Sequence, residues 1–162
     1  MYNIGDRIVH PIHGAGTIDD ITSRVIDGKT LDYYILKLPT GSMTIMVPVA
    51  TSAEIGIRDV ITRELADELI SLIPSLEAED TTNWNKRYRE NTARIKTGDL
   101  REVVCVIKSL SSRDMKSGLS TGERKMLHTA RQILISELSL AKEMSFSEIE
   151  ELINPLFLQT DR

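Results

Sequence analysis

Apolar and polar positions along this chain change rhythm once. Up to about residue 50 they come in short alternating runs broken by Gly and Pro, and from Thr62 they recur at the 3.6-residue spacing of helices. In the first part, Arg7-Ile8-Val9-His10 alternates weakly, and Gly14-Ala15-Gly16 marks a bend or bulge where a side chain would obstruct. Thr17 to Ile26 reads as a longer strand, and Asp27-Gly28 offers the positive φ angles of a tight hairpin turn. Leu31 to Leu38 is the returning strand, Pro39-Thr40-Gly41 the next turn, and Met43 to Val47 a further strand closed by Pro48. Short antiparallel strands joined in sequence predict a small barrel of the SH3-like or Tudor-like kind.

The second part predicts helices. Leu65, Leu69, Ile70 and Ile73 share one helical face, stopped by Pro74, and residues 75–82 form a polar, acidic link. A helix from Trp84 to about Lys96 follows, with Gly98 as its C-terminal stop. Three more helices open alike: Asp99-x-x-Glu102, Ser120-x-x-Glu123 and Ser145-x-x-Glu148 each place a capping oxygen three residues before a carboxylate. Apolar stripes follow them: Val103, Val104, Ile107 and Leu110; Met126, Leu127, Ala130, Ile133, Leu134 and Leu138; Ile149, Leu152, Ile153 and Leu156. Helices of this length bury such stripes against one another. The expected fold is α+β in two domains: a Tudor/SH3-like antiparallel β-barrel over residues 1–54, then a compact all-α domain over 55–162 that includes a linker helix and loop at 62–82.

Composition sharpens this picture. Of 162 residues, 41% are hydrophobic, enough for a packed core, while aromatics at 4% leave that core to Ile, Leu and Val. The single cysteine, Cys105, lies among Val103, Val104, Val106 and Ile107, which predicts a buried structural thiol and excludes an internal disulfide. The start, MYNIGDRIVHPIHG, lacks the apolar core of a signal peptide, and no apolar run approaches about 18 residues. A soluble, intracellular protein is expected, with no membrane contact.

The formal charge of −4 conceals an asymmetry. Residues 1–54 carry net −2, residues 55–82 net −5, residues 83–125 net +6 and residues 126–162 net −3. Local charge is therefore the better guide to partners. The basic segment also holds the only tryptophan, in NWNKRYRENTARIKTG at residues 83–98.

Enzymatic signals are poor. His10 and His13 could be two metal ligands, but His128 is remote in sequence and a zinc site needs three or four ligands. Gly118-Leu-Ser-Thr-Gly122-Glu lacks the Lys-Ser/Thr ending of a phosphate loop. Neither catalysis, nor a metal, nor a cofactor is expected. In the basic segment Trp84, Tyr88, Asn91 and Ile95 follow i, i+4, i+7, i+11 spacing, with Lys86, Arg87, Arg89, Arg94 and Lys96 around them. Two readings stand. Trp84 and Tyr88 can be core with the cations in solvent. Alternatively, cations that oppose the helix dipole beside an indole at the helix start form a phosphate-facing surface with an aromatic wedge.

At these residues a family resemblance enters. GDRIVHPIHGAGTI at residues 5–18 resembles the start of the polymerase-interacting module of the CarD/CdnL bacterial transcription regulators, a module that transcription-repair coupling factors also carry. NWNKRYRENTARIKTGD, GLSTGERKML and ARQILISELSLA resemble that family's helical domain in its order and spacing, so the likeness covers about Gly5 to Ala141.

The resemblance implies a division of labour. The N-terminal domain would bind the RNA polymerase β subunit, through Arg24, Ile45 and Met46. The last stands where the family can have arginine, a departure at a polar contact that a thioether could replace by packing. The helical domain would touch promoter DNA in the minor groove at the upstream edge of the transcription bubble, with Trp84 as wedge and Lys86, Arg89 and Arg124 on the backbone; Arg87 and Lys125, beside them in the basic segment, are further DNA-binding candidates. The function implied is stabilisation of the open promoter complex by a cytoplasmic, nucleoid-associated, monomeric regulator. The alternative is a polymerase adaptor with Trp84 buried and no DNA contact. An acidic protein suits the first role, since polymerase tethering raises its effective concentration at one promoter site.

Overall fold

A computed structural model describes residues 1–40, 43–77 and 82–158. Gly41 of the expected turn and residues 78–81 of the expected link lie outside them. Five strands, β1 (Arg7–His10), β2 (Gly14–Ile26), β3 (Lys29–Lys37), β4 (Thr44–Pro48) and β5 (Arg58–Asp59), form one antiparallel sheet in the order β4-β3-β2-β1-β5. The α helices are α1 (Ser52–Ile55), α2 (Arg63–Leu72), α3 (Trp84–Lys96), α4 (Leu100–Ser117), α5 (Thr121–Lys142) and α6 (Phe146–Leu158), with a 3₁₀ turn at Ile73–Ser75. This is the expected two-part α+β architecture.

The inner faces of the strands converge on Ile8, Ile18, Tyr34, Leu36, Val47 and, just before β5, Ile57. Asp27 and Gly28 turn the β2–β3 hairpin with φ of 52° and 76°, the positive pair that a two-residue turn requires. A register shift between Ile18 and Asp20 marks a bulge in β2. The sheet continues past residue 54, because β5 pairs Asp59 with Ile8 and Arg58 with Val9. The expected division at 54/55 falls before this strand.

The helices enclose a second core, in which Leu69, Ile73, Val104, Ile107, Leu110, Leu134, Leu138, Ile149 and Ile153 are buried. In α2 the inward positions are Ala66 and Leu69, while Leu65 is exposed, so the expected stripe is shifted. The α3 stripe is shifted too: its buried residues are Arg87, Asn91 and Ile95. Cys105 is half-buried, with its Sγ 3.4 Å from the Glu77 carbonyl, less enclosed than expected; partial burial raises its thiol pKa.

Helix α5 joins the two cores. All seven residues from Ile133 to Ser139 are buried, because α5 packs on α2, α3, α4 and α6 and also on β2. Two polar residues of this run hold the sheet. Ser136 Oγ accepts the Ala15 N–H at 2.9 Å, and a Cβ at Gly14 (φ +95°) would meet that oxygen at 2.4 Å, so only glycine fits there. The fully buried Glu137 accepts two hydrogen bonds of 2.7 Å from the Arg58 guanidinium and a third from the Ile61 N–H at 3.0 Å. Arg58 also reaches the Gly98 carbonyl at 2.9 Å, which ties β5 to both α5 and the end of α3.

Candidate nucleic-acid and polymerase interfaces

The basic segment forms α3 because Asn83 caps it, its side-chain oxygen accepting the Lys86 N–H at 3.0 Å. Trp84 is the first helical residue, and 43% of it is exposed. Its ring stacks on Tyr88 one turn later, with centroids 5.0 Å apart and planes 20° from parallel. Its Nε1–H donates to Ser120 Oγ at 3.2 Å. Ser120 is itself the cap of α5, accepting the Glu123 N–H at 3.2 Å. The indole thus lies where two helix N-termini meet, held on one side and open on the other.

Directly beneath, Arg87 Nε and Nη2 donate to the two carboxylate oxygens of Glu123 at 2.7 and 3.1 Å. Both side chains are buried, and Arg87 Nη1 also reaches the Thr82 carbonyl at 3.3 Å. The Arg87 hydrogen bond holds the Glu123 carboxyl below the ordinary carboxylate range, against the opposing effect of burial. Arg87 therefore departs from the expected set of DNA-facing cations. A bidentate ion pair consumes its donors and joins α3 to α5.

The other expected cations lie in solvent. Lys86 is 3.9 Å from Glu90, and Arg124 is 3.6 Å from Asp114; both are exposed pairs that contribute little and open readily. Arg89 is exposed, its Nε 3.4 Å from the Asn85 carbonyl. Lys125 is exposed on the first turns of α5, and Lys96 ends α3. The structure brings Trp84 and Ser120 into contact from opposite helices, which sequence spacing does not reveal. The partial positive ends of α3 and α5 add to the same surface.

On the sheet, strand pairing sorts the expected polymerase contacts. Leu31 faces Arg24, Tyr33 faces both Thr22 and Pro48, and Ile35 faces Asp20 and Met46. By the two-residue alternation of strands, Arg24 and Met46 belong to one outer face with Leu31, Tyr33 and Ile35 between them. Ile45 pairs with Leu36 and packs on the inner core, so it points away from that face. Met46 is 37% exposed on β4, an edge strand of the sheet.

His10 ends β1, and His13 lies in the turn before β2. His10 and His13 lie with ring centroids 4.6 Å apart, and burial lowers both pKa values, helped at His10 by the His13 charge. Among the described residues no group of three or more His, Cys, Asp or Glu side chains could hold a metal ion, and no helix is long and apolar enough to cross a membrane.

Comparison with known proteins adds three findings. Residues 2–61 match the family model "CarD-like/TRCF RID domain", and residues 68–154 match "CarD, C-terminal domain". A Bacillus subtilis (strain 168) protein named "Putative transcription factor YdeB" is 32% identical over 150 residues, which span 93% of this chain and 98% of that protein.

Proposed function

Because this chain belongs to the CarD family of RNA polymerase-associated transcription regulators, we propose that it docks on the polymerase β subunit and stabilises the open promoter complex. The outer sheet face carrying Arg24 and Met46 makes the polymerase contact, with the β4 edge open to strand addition. The helical domain presents Trp84 to the minor groove at the upstream edge of the bubble, and Lys86, Arg89, Arg124 and Lys125 contact phosphates there. No catalytic step is part of this reading.

The observation that carries it is the exposure of Trp84 on a rigid support. Stacking on Tyr88 and the Ser120 hydrogen bond fix the indole, yet 43% of it is left to solvent beside exposed cations. An aromatic wedge between base steps needs that combination of rigidity and exposure. Phosphate contacts then position the protein without reading sequence. Photo-crosslinking from position 89 in the polymerase–promoter complex tests this directly. Salt-sensitive crosslinks to DNA at the upstream bubble edge are expected. Crosslinks to polymerase alone would instead make the protein an adaptor without DNA contact.

A further inference from the structure

Behind Tyr88, a groove of about 300 Å³ runs between α3 and α5. Its walls are Tyr88, Ile95 and Met126, with the exposed Ile12 of the β1–β2 turn as an apolar lip. Lys96 and Lys125 stand at its rim, and neither has an acidic partner among the described residues, unlike Lys86 and Arg124 nearby. Gly122 leaves the wall bare on the α5 side: a Cβ there would already lie 3.5 Å from the Tyr88 ring.

We propose that this groove receives one unpaired nucleobase of the promoter, adjoining the base pair at which Trp84 acts, with Lys96 and Lys125 on the flanking phosphates. The inference rests on the DNA-facing role of Trp84 given above. Three observations favour this occupant. The groove is continuous with the indole through Tyr88, which stacks on Trp84 and lines the groove. Its apolar and aromatic walls suit the flat face of any base, and two unneutralised lysines complement a phosphodiester, the pairing by which single strands are bound without sequence preference. Two other cavities lack that pairing. The 420 Å³ cleft beside Arg58 sets Asp59, Glu68 and Asp99 against two arginines that are already engaged, Arg58 by Glu137 and Arg101 by Glu68. In the 340 Å³ cavity beside α6, Arg131 is already engaged by Asn154 and Glu150, and Lys108 by the Leu76 carbonyl.

The test uses the full chain in the polymerase–promoter complex, with 2-aminopurine placed singly at each unpaired position near the upstream edge. At one position emission should fall by about two-fold or more on adding the protein, as stacking on an aromatic wall quenches it. Thr129→Trp, which fills the groove from α5, should abolish that fall while the protein stays on polymerase. Lys96→Gln with Lys125→Gln, which leaves the groove open, should weaken it. If no position responds to the wild-type protein while Trp84→Ala still shortens complex lifetime, the groove holds no base and only this inference falls. If Trp84→Ala also changes nothing, the DNA-facing reading falls with it. Release of Thr129→Trp from DNA-free polymerase would overturn the inference in favour of a polymerase segment in the groove.

Discussion

The guanidinium of Arg87 meets the carboxylate of Glu123 in two hydrogen bonds of 2.7 and 3.1 Å, with both side chains buried between α3 and α5. This pair supports the surface above it, since Glu123 and Trp84 share the Ser120 hydroxyl: Trp84 donates to it, and the Glu123 N–H donates to it. A cation in the middle of a basic stretch thus serves the fold, and its neighbours serve the surface.

Removing one partner of such a pair strands the other. Arg87→Ala should cost about 3–5 kcal/mol of stability by leaving a buried carboxylate uncompensated. Thermal or urea unfolding checks it. Lys86→Ala and Arg89→Ala should leave stability nearly unchanged, because both side chains are exposed.

The same pair predicts an acid response. The Glu123 carboxyl is held below its ordinary range, so the unfolded chain takes up that proton more readily than the folded one. Its stabilising contribution is present above the ordinary carboxylate pKa and is lost as pH falls through the lowered folded value. Glu123→Gln should remove that part of the acid sensitivity. Urea midpoints measured down a pH series, for both proteins, show whether it does.

On the sheet, inside and outside separate two neighbouring residues. Met46→Asp should weaken polymerase binding with little loss of stability, because Met46 is on the outer face. Ile45→Asp should destabilise the domain, because it places a charge against Leu36 and the inner core. Arg24→Glu should behave like Met46→Asp. Pull-down with polymerase beside a melting curve distinguishes the two classes.

Phosphate contacts leave a signature in salt. Removing Lys86, Arg89 or Arg124 singly should lower the slope of log affinity against log salt by about one each, uniformly across DNA sequences. A substitution at Arg87 that preserves folding should leave the slope unchanged.

Much of this fold was legible in the linear pattern, wherever a signal is local. The Ser145–Glu148 capping box forms as spaced, with reciprocal hydrogen bonds of 3.0 and 3.1 Å. The Asp27-Gly28 hairpin and the start of α3 at Trp84 are likewise local. Features built from distant residues were hidden. Glu123 sits at the right spacing from Ser120, but its carboxylate turns to Arg87, 36 residues away. Strand β5 has only two residues, so no alternation announces it; pairing with β1 makes it a strand. Helix α5 shows one apolar stripe, and its second covered face carries Ser136 and Glu137, polar residues whose partners are Ala15 and Arg58. At the site, an indole beside cations could be seen in sequence. Which cations are exposed, which are paired and which is buried could not.

If Trp84 acts on DNA from a stable scaffold, one variant reveals it. Trp84 is partly exposed and makes one side-chain hydrogen bond, so Trp84→Ala should melt close to the wild-type temperature. An aromatic contact with an unstacked base is worth roughly 1–3 kcal/mol, so the competitor-challenged lifetime of the open complex should fall by about five-fold to a hundred-fold. A well-folded, polymerase-bound Trp84→Ala protein that supports an unchanged lifetime would show that the indole does not act on the bubble.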